Sequence, residues 1–114
     1  MTRDWTIHEL VARTGIKRRI IRYLIEHDVV AASGLRQTGG RPQLTFTTDE
    51  AVVAVAASHA HSSIRLSLLR PLVAALSQEL QKPRPFPLVS VRIQVVQYAW
   101  FSFNIRAIRA SLQD

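Results

Sequence analysis

At 114 residues the chain has the length of one domain, and a hydrophobic share of 47% excludes wholesale disorder. Fifteen Lys and Arg against eight Asp and Glu leave a formal charge of +7, which favours anionic partners: nucleic acid, acidic lipid or an acidic protein. The absence of cysteine excludes disulfides, thiolate metal sites and cysteine nucleophiles. "MTRDWTIHEL" lacks the apolar core of a signal peptide, and "AVVAVAA", the longest apolar run, is too short to span a bilayer, so a cytoplasmic protein without a membrane span is expected.

The first helix is announced by "TIHE". Thr6 caps it, Glu9 completes a capping box, Ile7, Leu10 and Val11 form the apolar stripe, and Gly15 ends it. A second helix follows at once, with Ile16, Ile20 and Leu24 on one face, joined by Ile21 and Ile25, and Arg18, Arg22 and Glu26 on another. Asp28, tolerant of the left-handed conformation, closes it. Lys17, Arg18, Arg19 and Arg22 crowd the start of this helix, where the macrodipole disfavours cations. Two helices joined by a short Gly-containing turn read as a helix-turn-helix, and an anionic duplex supplies the charge that such a recognition helix lacks.

"LRQTGGRPQLTFTTDE" reads as a β-hairpin tipped by Gly39, Gly40 and Arg41, a wing that brings Arg36 and Arg41 to a neighbouring phosphate or minor groove. Pro42 predicts that one of its strands is an edge or irregular. Thr47 and Glu50 form a second capping box and open a third helix, with Val52, Val53, Val55 and Ala56 as its buried side. A fourth helix is predicted from about Ser67 to Lys82 on a stripe of Leu68, Leu69, Leu72, Val73, Leu76 and Leu80, with Pro71 tolerated near its first turn. "KPRPFP" must stop that helix. Beyond it, Val89, Val91, Ile93 and Val95 alternate with polar residues, as do Phe101, Phe103 and Ile105, which predicts two strands, and a short helix follows from about Arg106.

From "WTIHELVARTGIKRRIIRYL" through "IEHDVV", the Gly-rich hairpin and "FTTDEAVVAV", the chain resembles the MerR-like winged helix-turn-helix family over roughly residues 5–82. The resemblance implies that Arg22 and Tyr23 meet DNA, and that Phe46 with Thr47 and Thr48 opens the helix after the wing. Leu24 stands in place of the usual second aromatic, Asp28 in place of the usual glycine, and Lys17 in place of a Ser or Thr cap. Leu44 occupies the place of a wing arginine, with Arg41 as a nearby substitute. The family's long dimerisation helix cannot pass Pro83, Pro85 and Pro87, so a minimal member without that helix or an effector domain is expected.

The expected fold is mainly α with a small β component: a winged helix-turn-helix of four helices plus a wing hairpin, then a C-terminal β-hairpin and a short helix. Residues 1–82 would form the DNA-binding domain, 83–87 a Pro-rich connector, and 88–114 an oligomerisation or partner-binding element. The DNA-binding set is Lys17, Arg18, Arg19, Arg22, Tyr23, Arg36 and Arg41. Because a hairpin is marginal alone, Val91, Ile93, Val95, Phe101, Phe103 and Ile105 are expected to join two copies into a homodimer, the alternative being that they complete the monomer's own core. Trp5, Trp100, Phe101 and Phe103, the last three interleaved with Arg92 and Arg106, admit a base-stacking reading, but strand alternation favours a core or interface role for Phe101 and Phe103.

His59 and His61 are spaced poorly for one helical face, and Asp49 with Glu50 is explained by capping, so neither a metal site, a cofactor nor an enzyme is expected. The functional expectation is a dimeric, sequence-specific regulator of transcription that binds double-stranded DNA, a small repressor or antitoxin-type autoregulator. The alternative is an adaptor that docks a protein partner, neutralising a toxin or modulating a chaperone. A membrane-surface role fits poorly, since no long amphipathic segment carries exposed bulky apolar residues.

Overall fold

The computed structural model describes residues 4–96 and 99–113. Its elements in chain order are β1 (Trp5–Thr6), α1 (Ile7–Thr14), α2 (Arg18–Glu26), β2 (Gly34–Thr38), β3 (Arg41–Phe46), α3 (Thr48–His61), α4 (Leu66–Gln81), β4 (Val91–Val96), β5 (Ala99–Phe103) and α5 (Ile105–Ser111). Among the described residues five helices make up about half, and two small antiparallel sheets, ordered β1-β3-β2 and β4-β5, about a fifth.

Local chemistry sets most of the boundaries. At α1, Glu9 N donates to Thr6 Oγ1 at 3.1 Å and Thr6 N donates to Glu9 Oε1 at 3.0 Å, so the box satisfies two N–H groups that the first turn leaves open. Gly15 ends the helix at φ 74°, a conformation that costs glycine nothing. α2 buries Ile21 and Leu24 completely and Ile20 and Ile25 in part, with Ile16 buried just before the helix. These are the five residues that the spacing assigned to one face, with Ile20 and Ile25 at its rim. Asp28 takes φ 57°, and Val29 N then donates back to Leu24 O at 2.9 Å, which turns Val29 and Val30 onto the core.

Gly39 and Gly40, at φ 60° and 81°, give the β2–β3 hairpin the positive φ values that a type I′ turn needs. Arg41 belongs to β3 rather than to the tip. Thr38 and Arg41 flank the turn as the hydrogen-bonded pair, so in the next pair, Gln37 with Pro42, the missing proline N–H points away from β2. β1 reaches only Thr45 and Phe46, which leaves the central strand β3 open on that side where Pro42 sits. Gly34 faces Thr45, and a Cβ there would collide with Thr45 Oγ1.

α3 lies at the centre. Its capping box closes through Thr47 and Glu50, and every residue from Ala51 to Ser58 is buried, as is Ala60. One buried side was expected; burial all round follows because α1, α2, α4, α5 and β3 all pack against it. α4 inserts Leu69, Leu72, Val73 and Leu76 into the same core. Pro71 falls in its second turn, deeper than expected, but on the exposed side, where the carbonyl of exposed Ser67 loses its helical donor to no buried cost. α4 then stops at Lys82, whose ammonium and the Arg84 guanidinium meet Glu79 at 2.6 and 2.9 Å and hold its carboxyl below the usual range.

The C-terminal residues correct one expectation. Val91, Ile93, Phe103 and Ile105, candidates for an interface between copies, are buried in the chain's own core, and Val95 and Phe101 are half-buried against it. β4 packs on α4, while α5, capped by Asn104 Oδ1 accepting from Ala107 N at 2.9 Å, packs on α1 and α3. Arg13 donates to Gln113 O at 2.7 Å, which ties the chain's end to α1. These apolar side chains close the monomer because α3 and α4 offer them an apolar surface that a free hairpin lacks.

Two outcomes follow. Leu24→Ala should lower stability by about 2 to 5 kcal/mol in urea unfolding, since it empties a fully enclosed site. A chain ending at residue 82 should lose cooperative thermal unfolding, because it uncovers the surfaces of α3 and α4 that β4 and α5 bury.

Candidate nucleic-acid interface

The outer face of α2 is cationic. Lys17, Arg18, Arg19 and Arg22 are all exposed, and Lys17 at the N-cap makes no side-chain cap bond. α2 also has no acidic residue in its first turn, where α1 has Glu9 and α3 has Asp49 and Glu50. Its positive end and its cations therefore reinforce one another, an arrangement that repels within the chain and attracts an external anion.

Arg18 is held in place by α1: its guanidinium donates to His8 Nδ1 at 3.1 Å. Beside it runs a groove of about 560 Å³ between the start of α1, the outer face of α2 and β3, walled by His8, Arg18, Arg22, Glu26, Gln43 and Leu44. A shallow hollow formed by Arg18, Arg19, Arg22, Tyr23 and Glu26 adjoins it. Tyr23 is half-buried, with its ring 4.3 Å from that of His27 and 5.2 Å edge-on from that of His61, so the ends of α2 and α3 fix its position.

The structure thus brings Lys17, Arg18, Arg19, Arg22 and Tyr23 onto one element, with β3 across the groove. Arg41 is exposed at the start of β3. Arg36 stands apart from them: its guanidinium donates to Glu9 Oε1 at 3.1 Å and to the Asp4 carbonyl at 3.1 Å, which clamps β2 to the cap of α1. Its charge is engaged inside the chain rather than offered to an anion. His8 and Gln43 were not foreseen at this site. His8 carried only the signal of a polar residue in the first turn, and its pairing with Arg18 depends on how α1 and α2 cross.

Leu35 and Leu44, a directly opposed pair on the hairpin, are 62% and 44% exposed. Leu44 puts an apolar patch on the wall of the cationic groove.

A second groove, of about 510 Å³, lies between Asp28 to Ala31, the start of α3 and one side of α4. Its acidic residue Glu50 is already committed: Oε1 accepts from Thr47 N at 2.9 Å, Ser33 Oγ at 2.8 Å and Ser33 N at 3.3 Å. Asp49 pairs with Arg109 at 3.5 Å, and Arg70 spans the groove to donate twice to the His27 carbonyl at 3.1 and 2.8 Å. These groups join α3, α4, α5 and the end of α2, and their chemistry is structural. Among the described residues no three His, Cys, Asp or Glu side chains converge as metal ligands, and no helix is long and apolar enough to cross a membrane.

Comparison with known proteins adds no neighbour to this picture: no protein-family model, no curated protein and no solved structure matches the chain.

Proposed function

We propose that the chain binds duplex DNA as a MerR-like winged helix-turn-helix regulator of transcription, with α2 as the recognition helix and the β2–β3 hairpin as the wing. The observation that carries the reading is the exposed row of Lys17, Arg18, Arg19 and Arg22 at the uncapped start of α2. A major groove accepts one helix of this size, and its flanking phosphates supply the negative charge that α2 lacks.

The roles divide by position. Lys17 and Arg19 meet phosphates at the helix start, Arg18 and Arg22 reach into the groove toward base edges, and Arg41 meets the backbone beside the hairpin tip. Tyr23, braced by His27 and His61, lies along the sugar-phosphate edge. Gly39 and Gly40 at the tip carry no side chain that would hold the backbone off. One recognition helix reads one half-site, so the regulator acts as a dimer.

Selection of bound sequences from a random duplex pool tests the reading and yields the operator. With Lys17, Arg19 and Arg41 of each of two copies neutralising phosphates, log affinity against log salt should fall with a slope of about −5. A slope near zero would remove duplex DNA as the ligand and favour the adaptor reading. Arg22→Ala should cost about 1 to 3 kcal/mol and relax preference at one base pair, whereas Arg19→Ala should weaken all sequences alike. Neither should move the urea midpoint, since both side chains are exposed.

A further inference from the structure

The four cations at the start of α2 are not equivalent. Among the described residues the side chains of Lys17, Arg19 and Arg22 make no hydrogen bond or ion pair within the chain, whereas the Arg18 guanidinium is held 3.1 Å from His8 Nδ1. Arginine has only donors, so Arg18 donates and Nδ1 accepts, which places the one proton of the His8 ring on Nε2. The bond crosses from α1 to α2, because His8 lies in the first turn of α1 and Arg18 is the first residue of α2. Both side chains are exposed and both wall the groove beside α2, so the contact lies on the surface offered to a ligand.

The nature of the partner matters. Arg36 is held by a carboxylate, Glu9, which consumes its charge. Arg18 is held by a neutral acceptor, which fixes its direction and leaves its charge for an anion. The acid on the groove wall, Glu26, stands about two turns further along α2. The pairing also leaves a usable fork. A guanidinium presents two pairs of parallel N–H groups, one through Nε and Nη2 and one through Nη1 and Nη2, and each pair uses a different hydrogen of Nη2. His8 takes one Nη2 hydrogen, so one complete pair remains. Two parallel donors match the two acceptors, O6 and N7, that guanine sets side by side in the major groove, while adenine sets a donor beside its N7.

We propose that His8 is a positioning residue for base recognition, holding Arg18 with its remaining pair of N–H groups toward a guanine of the half-site. This role rests on the duplex-binding reading and names the base which that reading left open. As the first residue of α2, Arg18 stands where a recognition helix meets base edges. A free arginine loses rotamer freedom when it binds, and a partner that fixes it beforehand removes part of that loss, worth about two- to tenfold in affinity.

Selection with the wild-type chain should return a half-site containing a guanine whose replacement by the deaza analogue lacking N7 weakens wild-type binding and leaves Arg18→Ala binding unchanged. At that guanine His8→Ala should lower affinity about two- to tenfold, with binding to duplexes lacking the guanine and the thermal midpoint both unchanged, because the side chain is exposed. His8→Asn, which sets an amide oxygen in the place of Nδ1, should restore the affinity. His8→Ala added to Arg18→Ala should cost nothing more. A selected half-site in which no guanine depends on Arg18, a His8→Ala chain that keeps the full guanine preference, or an equal loss with Arg18→Ala already in place would overturn the proposal and leave duplex binding standing. Absence of any duplex binding would overturn both. Should His8→Ala not fold, nitrogen NMR of the neutral His8 ring in the wild-type chain should find the proton on Nε2, and a proton on Nδ1 would overturn the proposal.

Discussion

Everything else in this molecule is arranged around a helix that has no outside. α3 runs Ala-Val-Val-Ala-Val-Ala-Ala-Ser through its middle, all of it buried. A helix apolar on every side is stable only when neighbours cover every side. Four helices and a strand do so, and the alanines let them approach closely. Ser58, the one polar side chain in the run, returns its hydroxyl to Ala54 O at 2.9 Å, so its burial leaves no donor open. The demand of α3 for cover explains why α5 folds back: without it, part of the apolar surface of α3 would meet water at about 25 cal/mol per Å².

That demand also positions the cationic face. α2 must present Ile21 and Leu24 to the core, and helical spacing then sends Arg18, Arg19 and Arg22 outward together. Four cations at a helix start cost a few tenths of a kcal/mol each against the macrodipole. Stability alone would place them elsewhere, and α1 and α3 in the same chain show the stabilising choice, acidic residues inside capping boxes. α4, with Arg65 at its N-cap and no acid in its first turn, shares the missing cap, so what sets α2 apart is the crowding of four exposed cations at its start.

Features fixed within a few residues of sequence were legible from the sequence: both capping boxes, Gly15, the left-handed Asp28, the Gly39-Gly40 turn, the stop imposed by the prolines, and the alternation of both C-terminal strands. Features set by distant contacts were not. The Ile16, Ile20, Ile21, Leu24 and Ile25 face was legible, but which of the five would be fully enclosed was not, because only the neighbouring elements choose among them. Arg36 reads as a free wing cation until Glu9, 27 residues away, is seen to accept from it. The apolar stripes of β4 and β5 were correctly assigned to a hidden face, yet a stripe carries no label for what hides it.

The two ends of the chain are mechanically one body. α5 packs on both α1 and α3, and Arg13 reaches from α1 to the Gln113 carbonyl. Arg18 on α2 is in turn steadied by His8 on α1. Contacts thus run without a break from α5, which follows β5 after the single residue Asn104, through α1 to the start of α2. In bundles joined by flexible linkers, two recognition helices sample many separations. Here the route from β5 to Arg18 runs through packed helices and two named polar contacts, with the Pro-rich connector outside it.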